Sequence, residues 1–307
     1  MIKSGFVSVV GRPNVGKSTL VNAIVGSKVS IVSFKPQTTR DVIRGIYNDE
    51  DSQIVFTDTP GIHKPEDSLG NIMNANATSA AGDVDVILML VDISKDSNAS
   101  DKYVIERIKH HECPKFLIIN KIDTKSKVEL IPIIQHYASL GIFTEIIPIS
   151  ALKETNLKTL IDLIKSYLPE GPRYYPVTMV SDHPQTFSIA ETVREKIFLN
   201  LQDELPYSIG VYTEEITETE EKLKASVVVL VSRDSQKGII IGEKGLMLKK
   251  IVKQAKEDLT KQEKKQVVLD VFVRVQKNWR NSPSMLNMLG YELNDWSLIY
   301  WFCINQS

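Results

Sequence analysis

Gly11-Arg12-Pro13-Asn14-Val15-Gly16-Lys17-Ser18 decides the fold of the first half of this chain. The stretch fits G-x-x-x-x-G-K-[ST]. It lies behind a short apolar run at residues 6–10 and opens a helical pattern at 17–25, which is where the chemistry needs it. Glycines let backbone N–H groups wrap a phosphate chain, and the helix N-terminus adds its positive dipole end. Lys17 is placed to reach β- and γ-phosphates, and the Ser18 hydroxyl to bind Mg²⁺. Gly11, Asn14, Val15, Gly16 and Thr19 complete the expected phosphate cradle.

Three further motifs follow in order, each behind an apolar strand pattern. In Asp58-Thr59-Pro60-Gly61, Asp58 is expected to hold Mg²⁺ through water and the Gly61 amide to touch the γ-phosphate. In Asn120-Lys121-Ile122-Asp123, the Asp123 carboxylate can accept two hydrogens from the N1–H and N2–H₂ edge of guanine. Adenine offers no such pair, and a buried carboxylate left unpaired rejects the wrong base strongly. Ser150-Ala151-Leu152 then offers the Ala151 amide to guanine O6. Between the first two motifs lies the polar segment Pro36-Gln37-Thr38-Thr39-Arg40-Asp41. One of its threonines is expected to ligate Mg²⁺ when a γ-phosphate is present. Sequence does not choose between Thr38 and Thr39, and Thr39 is carried forward. Lys17, Thr39, Asp58 and Gly61 are thus the expected catalytic set. Many small GTPases place a glutamine after the Asp-x-x-Gly glycine to orient the attacking water. Ile62 stands there, and its aliphatic side chain cannot do that work; the adjacent His63 reads as a solvated loop residue.

The surrounding pattern alternates strand and helix. Residues 42–47 and 54–57 are rich in β-branched and aromatic residues and read as paired strands. Residues 84–91 and 115–119 are near-continuous apolar runs, as suits parallel strands buried on both faces. Helical patterns fall near 98–110, 127–140 and 156–167. This alternation predicts a doubly wound α/β sheet. Three prolines and a glycine between Leu168 and Pro176 then read as a linker. Beyond it the order changes to a helix near 186–203, strands at about 207–218 and 223–232, and a short helix. A Gly-x-x-Gly turn at 242–245, a long helix near 246–262 and a strand near 266–277 complete it.

Net charge is −1 over 307 residues, but the second half is polarised. Residues 182–232 carry four Lys/Arg against ten Asp/Glu, a balance of −6. Residues 233–281 carry thirteen against six, a balance of +7. The basic part holds Gly242-Glu243-Lys244-Gly245, whose backbone N–H groups can meet a phosphodiester backbone. Gly238-Ile239-Ile240-Ile241 before it reads as an apolar floor for bases, and Lys244, Lys249, Lys250 and Lys253 as contacts along the backbone. In an α-β-β-α-α-β order this fits an RNA-binding KH domain with an N-terminal helix. The expected fold is therefore α/β, a doubly wound P-loop GTPase sheet, followed by a smaller α+β KH domain of type II.

Composition excludes other classes. Apolar content of 42% and charged content of 24% suit an ordinary globular protein. Two cysteines, Cys113 and Cys303, cannot form a disulfide framework or a zinc site and fit a reducing cytosol. The N-terminal residues lack the apolar stretch of a signal peptide, and no run of about 18 apolar residues exists to span a membrane.

These residues resemble the Era family of bacterial ribosome-associated GTPases over almost the whole chain. The resemblance is carried by the P-loop, by Pro36-Gln37-Thr38-Thr39-Arg40, by Asp58-Thr59-Pro60-Gly61-Ile62-His63-Lys64-Pro65 and by Asn120-Lys121-Ile122-Asp123. In the second half it is carried by Gly238–Gly245 and Val275-Gln276-Lys277-Asn278-Trp279-Arg280. It implies GTP and GDP as ligands and small-subunit ribosomal RNA, near its 3′ end, as a partner. It also implies a role in maturation of the small subunit and a hydrophobic residue in the glutamine position. Asn14 implies a potassium ion beside Mg²⁺. A cytoplasmic monomer with peripheral inner-membrane contact is expected. Expected boundaries are 1–170 for the GTPase domain, 171–181 for the linker, 182–281 for the KH domain and 282–307 for a tail. That tail continues past Leu289-Gly290-Tyr291, where such chains usually end, into an aromatic and apolar cluster from Trp296 to Ile304. It reads either as a packing element or as a membrane-interface contact. A tRNA-modifying GTPase shares the Asn14-type P-loop but ends in Cys-x-Gly-Lys, whereas Cys303 precedes Ile304-Asn305-Gln306-Ser307. A membrane-signalling GTPase would direct the basic face to anionic lipid.

Overall fold

A computed structural model describes residues 1–33, 35, 38–60, 67–79, 84–93 and 99–291. Gly61, Ile62, His63, Pro36, Gln37 and the cluster from Trp296 onward lie outside the described residues. The described chain divides into two compact units at Asp182 and His183, with residues 67–69 grouped with the second.

The first unit is built on β1 (Ile2–Val10), β2 (Ile43–Asn48), β3 (Ser52–Asp58), β4 (Val86–Asp92), β5 (Lys115–Asn120), β6 (Glu145–Pro148) and the short β7 (Glu170–Gly171). The sheet order is β2-β3-β1-β4-β5-β6, with β7 pairing β1. β1, β3, β4, β5 and β6 run parallel, and β2 is antiparallel to β3. Every residue of β3, β4 and β5 is buried, which is why residues 54–56, 86–91 and 116–119 are apolar throughout.

Alternation along the strands sends side chains to two separate cores. Val86, Leu88, Leu90, Phe116 and Ile118 pack with α1 (Lys17–Val25) and α5 (Leu157–Tyr167). Ile87, Met89, Val91, Leu117 and Ile119 pack with α3 (Ala99–Ile108) and α4 (Lys127–Ala138). A period of two residues therefore places helices on both faces, the doubly wound arrangement. The order reverses at β1, which lies between β3 and β4, so the loops at their carboxyl ends open the crevice where ligands bind in such sheets. The helix α2 (Ser68–Ser79) has no counterpart in the sequence reading; its polar composition gives it little apolar period.

The expected linker is not a free tether. Arg173 donates to the carbonyls of Asp49 and Glu50 at 3.0 and 3.2 Å, and the amides of Tyr174 and Tyr175 donate to Gln53 Oε1 at 2.7 and 3.0 Å. Ile46 N donates to the Val180 carbonyl at 2.9 Å, and Arg44 pairs with Asp182 at 2.5 Å. Proline and glycine density signalled irregular backbone. It did not signal that β2 and β3 would satisfy that backbone's polar groups.

The second unit runs α6 (Gln185–Asn200), β8 (Gly210–Glu218), β9 (Lys222–Val231), α7 (Asp234–Ile241), α8 (Leu246–Glu263), β10 (Gln266–Val275) and α9 (Pro283–Met288). Its sheet order is β10-β9-β8, with β8 antiparallel and β10 parallel to β9. Val193, Ile197, Val227, Val229, Ile240, Ile251, Ala255 and Leu259 are central to its core. Residues 279–291, which run past the expected KH boundary at 281 into the expected tail, belong to this unit. Trp279 is fully buried with Nε1 donating to the Ser208 carbonyl at 3.1 Å, and a Cβ on Gly210 would meet Leu289 at 3.0 Å.

Candidate nucleotide and nucleic-acid sites

The P-loop is wound by residues that take the left-handed region. Asn14 has φ 66° and Gly16 φ 101°, and a Cβ on Gly16 would collide with Asn120 Nδ2. Asn120 is the reason for that closeness. Its Nδ2 donates to the Val15 carbonyl at 2.8 Å, and its Oδ1 accepts the amides of Lys121 and Ala151 at 2.8 and 3.0 Å. One buried side chain thus fixes the P-loop, the loop after β5 and the loop after β6 against one another. Ser150 Oγ donates to Asp123 Oδ1 at 2.5 Å. Leu152 stands exposed beside this loop. The parts expected to bind phosphate and those expected to read guanine converge.

On the phosphate side, Lys17 is buried, and its ammonium donates to the carbonyls of Gly11 and Arg12 at 3.1 and 3.2 Å. Burial lowers its pKa to about 8, opposed by the negative charge of Asp58 and helped by Arg12. Asp58, at the end of β3, is fully buried. Burial pushes its carboxyl up, while Lys17 and the neighbouring hydroxyls of Ser18, Ser30 and Thr39 oppose that rise. Neither of its oxygens accepts a hydrogen bond among the described residues. Buried carboxylate oxygens beside the hydroxyls of Ser18, Ser30 and Thr39 form an oxygen donor set suited to a hard dication.

The two threonines separate here. Thr39 Oγ1 lies 2.9 Å from Ser18 Oγ, whereas Thr38 Oγ1 donates to the Lys35 carbonyl at 2.7 Å and faces Ser33 Oγ at 2.6 Å. Asn14, Lys17, Ser18, Thr38 and Thr39 line one cleft. Thr19, in the first turn of α1, lines the same cleft, and Gly11 follows the last residue of β1. Sequence reasoning passed over Arg12, Asp92 and Asp101. Arg12 pairs with Asp101 of α3 at 3.2 Å and donates to the Asp92 carbonyl at 3.2 Å. An acidic residue at the carboxyl end of β4, beside the crevice, was the available signal.

In the second unit, Gly242 has φ 72° and ψ 175°, a region open essentially to glycine, and a Cβ there would lie 2.6 Å from Met247 Cβ. Gly245 caps α8 at φ 76° with nothing within 4 Å of an added Cβ. Glu243, Lys244, Lys249 and Lys250 are exposed around the turn, as is Gly238 on α7. The apolar floor differs from expectation. Ile240 is fully buried in the core and cannot meet a base, because α7 turns that side chain onto the sheet. Ile239 and Leu246 are the exposed apolar residues there, with Ile241 half-buried. Among the described residues no helix is long and apolar enough to cross a membrane.

A doubly wound sheet with this phosphate and guanine constellation, followed by a Gly-x-x-Gly α+β unit, defines a P-loop GTPase coupled to a KH domain. Residues 6–121 match the family described as 50S ribosome-binding GTPase, and residues 204–280 match the KH domain family. A solved structure of an Aquifex aeolicus Era variant bound to GDP and AlF₄⁻ is 39% identical. Its TM-score is 0.92, over 95% of this chain and all of that one. A structure of Era with MgGDPNP and nucleotides 1506–1542 of 16S ribosomal RNA matches with the same identity, coverage and TM-score. The chain belongs to the Era family of GTPases, enzymes that hydrolyse GTP.

Proposed function

We propose that this chain binds GTP and GDP in the crevice at the carboxyl ends of β1, β3, β5 and β6, and that GTP hydrolysis there governs RNA binding by the KH unit. The observation that carries the nucleotide reading is the triple hold of Asn120 on Val15, Lys121 and Ala151. It makes one site of the phosphate and guanine elements. Lys17 and the amides of Gly11 and of Asn14 to Thr19 take the phosphates, while Asp123 and the Ala151 amide take the base. Ser18, Thr39 and Asp58 would hold Mg²⁺, which supplies neutralisation of charge on the β- and γ-phosphates. Thr39 is preferred to Thr38 because its hydroxyl already faces Ser18. Asn14, exposed on the rim of the same cleft, is the residue that would help seat a potassium ion.

The RNA reading rests on the exposed Gly242–Gly245 turn, the Lys244, Lys249 and Lys250 cations and the exposed Ile239. An Era structure solved with nucleotides 1506–1542 of 16S ribosomal RNA supports the 3′ region of small-subunit RNA as the ligand. The chain then acts as a cytoplasmic monomer assisting maturation of the small subunit. Affinity for a synthetic RNA of that 3′ region, compared with anionic vesicles of phosphatidylglycerol, tests it. Tight RNA binding with weak vesicle binding is expected; the reverse preference would favour a membrane-signalling role.

A further inference from the structure

We propose that Asp92 is a positioning residue that joins the guanine side of the nucleotide site to its phosphate side; the proposal rests on the nucleotide-site reading above. Asp92 ends β4 and is buried. Its carboxylate Oδ2 holds the Lys121 ammonium at 2.5 Å, and its own carbonyl accepts Arg12 Nη2 at 3.2 Å. Lys121 donates onward to the Asn14 carbonyl at 2.8 Å, and the Arg12 carbonyl is one of the two that hold Lys17. One residue therefore touches the lysine of the base loop with its side chain and the arginine of the P-loop with its backbone.

Charge and burial give the contact its consequence. The Asp92 side chain is 4% exposed and that of Lys121 is 36% exposed. A lysine at that exposure has open solvent to turn into, and a fixed carboxylate behind it selects the rotamer that spans the P-loop. Without that charge the ordering of Lys121 would have to accompany nucleotide binding. Arg12 does not depend on the same carboxylate, because Asp101 in the first turn of α3 pairs with it at 3.2 Å, with side-chain exposures of 9% and 2%. Asp92→Asn keeps the backbone carbonyl that Arg12 uses and removes the carboxylate charge that Lys121 uses. The effect should fall on nucleotide retention and leave the phosphate chemistry alone.

The test is release of a fluorescent GDP analogue from the full chain by stopped flow. Asp92→Asn should release GDP about ten- to a hundredfold faster, the scale of one lost hydrogen bond between charged groups. Turnover at saturating GTP should stay within about threefold, on the same scale. Lys121→Met should show a similar loss alone and add little in the Asp92→Asn background. Release within twofold of wild type from folded Asp92→Asn, or full additivity of the two substitutions, overturns the proposal. Should Asp92→Asn not fold, ¹⁵N spectra of the GDP-bound wild-type chain decide. A Lys121 ammonium in slow exchange with solvent is expected, and fast exchange overturns the proposal. A wild-type chain that fails to bind GDP sinks the nucleotide reading and the proposal together. Normal GDP binding with unaltered release from Asp92→Asn sinks the proposal alone.

Discussion

Ser150 Oγ donates to Asp123 Oδ1 at 2.5 Å, so the hydroxyl after β6 aims the carboxylate after β5. An aimed carboxylate accepts from two donors on guanine and cannot do so from adenine. Asp123→Asn replaces an acceptor by a donor and forfeits two charge-assisted hydrogen bonds, each worth about 1.5–3 kcal/mol. GTP affinity should fall at least about a hundredfold, with xanthosine triphosphate preferred over GTP. Competition binding with the two nucleotides checks this, and unchanged GTP affinity would remove the guanine assignment.

Nucleotide affinity should depend on alkaline pH through Lys17, whose free-state pKa is about 8. Phosphates favour the ammonium, so the bound-state pKa lies higher and binding takes up a proton between the two values. Affinity is then fully present below about pH 8 and weakens above it, by up to about tenfold per pH unit. Asp58 works in the opposite sense. Its carboxyl is pushed up by burial, a bound dication favours the anion, and binding of the dication releases a proton from it. Calorimetry at pH 8.5 in buffers of different ionisation enthalpy should show net proton uptake. Net release at that pH would contradict the Lys17 assignment.

Hydrolysis by the chain alone should be slow, about 10⁻⁴ to 10⁻² s⁻¹, the range for G proteins without a trans-acting activator. Ile62 in place of a water-positioning glutamine is the reason. Exchange of Na⁺ for K⁺ should raise the rate if Asn14 seats the cation. Equal rates in the two salts would dispose of the potassium site and leave the GTPase intact.

Loss of RNA binding is best tested at Gly245. Gly242→Asp would press a side chain onto Met247 and force a backbone region closed to aspartate, so it endangers folding as well as binding. Gly245 has open space around it, and its left-handed conformation is one that aspartate enters more readily than most residues, at a strain of about 1 kcal/mol. Gly245→Asp should lower the melting temperature by no more than about 8 °C, as suits a backbone strain of about 1 kcal/mol, and leave the unit folded. It should lower affinity for the 3′ small-subunit RNA at least about tenfold by placing a carboxylate beside phosphate. GTP binding should be unchanged. Retained RNA affinity in this variant would refute the KH assignment.

Sequence by itself determined the parallel sheet, the helices α1, α3, α4 and α5 that flank it, and the motifs on which the nucleotide reading rests. A P-loop, a guanine-reading loop and a Gly-x-x-Gly turn are local objects. Each needs particular residues at fixed short spacings, and backbone sterics give those spacings one shape. Apolar runs such as 115–119 declared buried parallel strands because burial on both faces leaves no room for alternation. Tertiary structure alone decided what depended on the approach of distant segments. The β1–β3 register sets Val9 opposite Asp58 and brings the P-loop to the carboxylate, and the packing of Thr39 against Ser18 separates two adjacent threonines that sequence left equal. It turned Ile240 inward while Ile239 stayed out, fastened residues 173–182 along β2 and β3, and set the carboxylate of Asp92 on Lys121. Those contacts join residues 21 to 138 positions apart. Their geometry follows from how whole elements pack, and no local spacing encodes it.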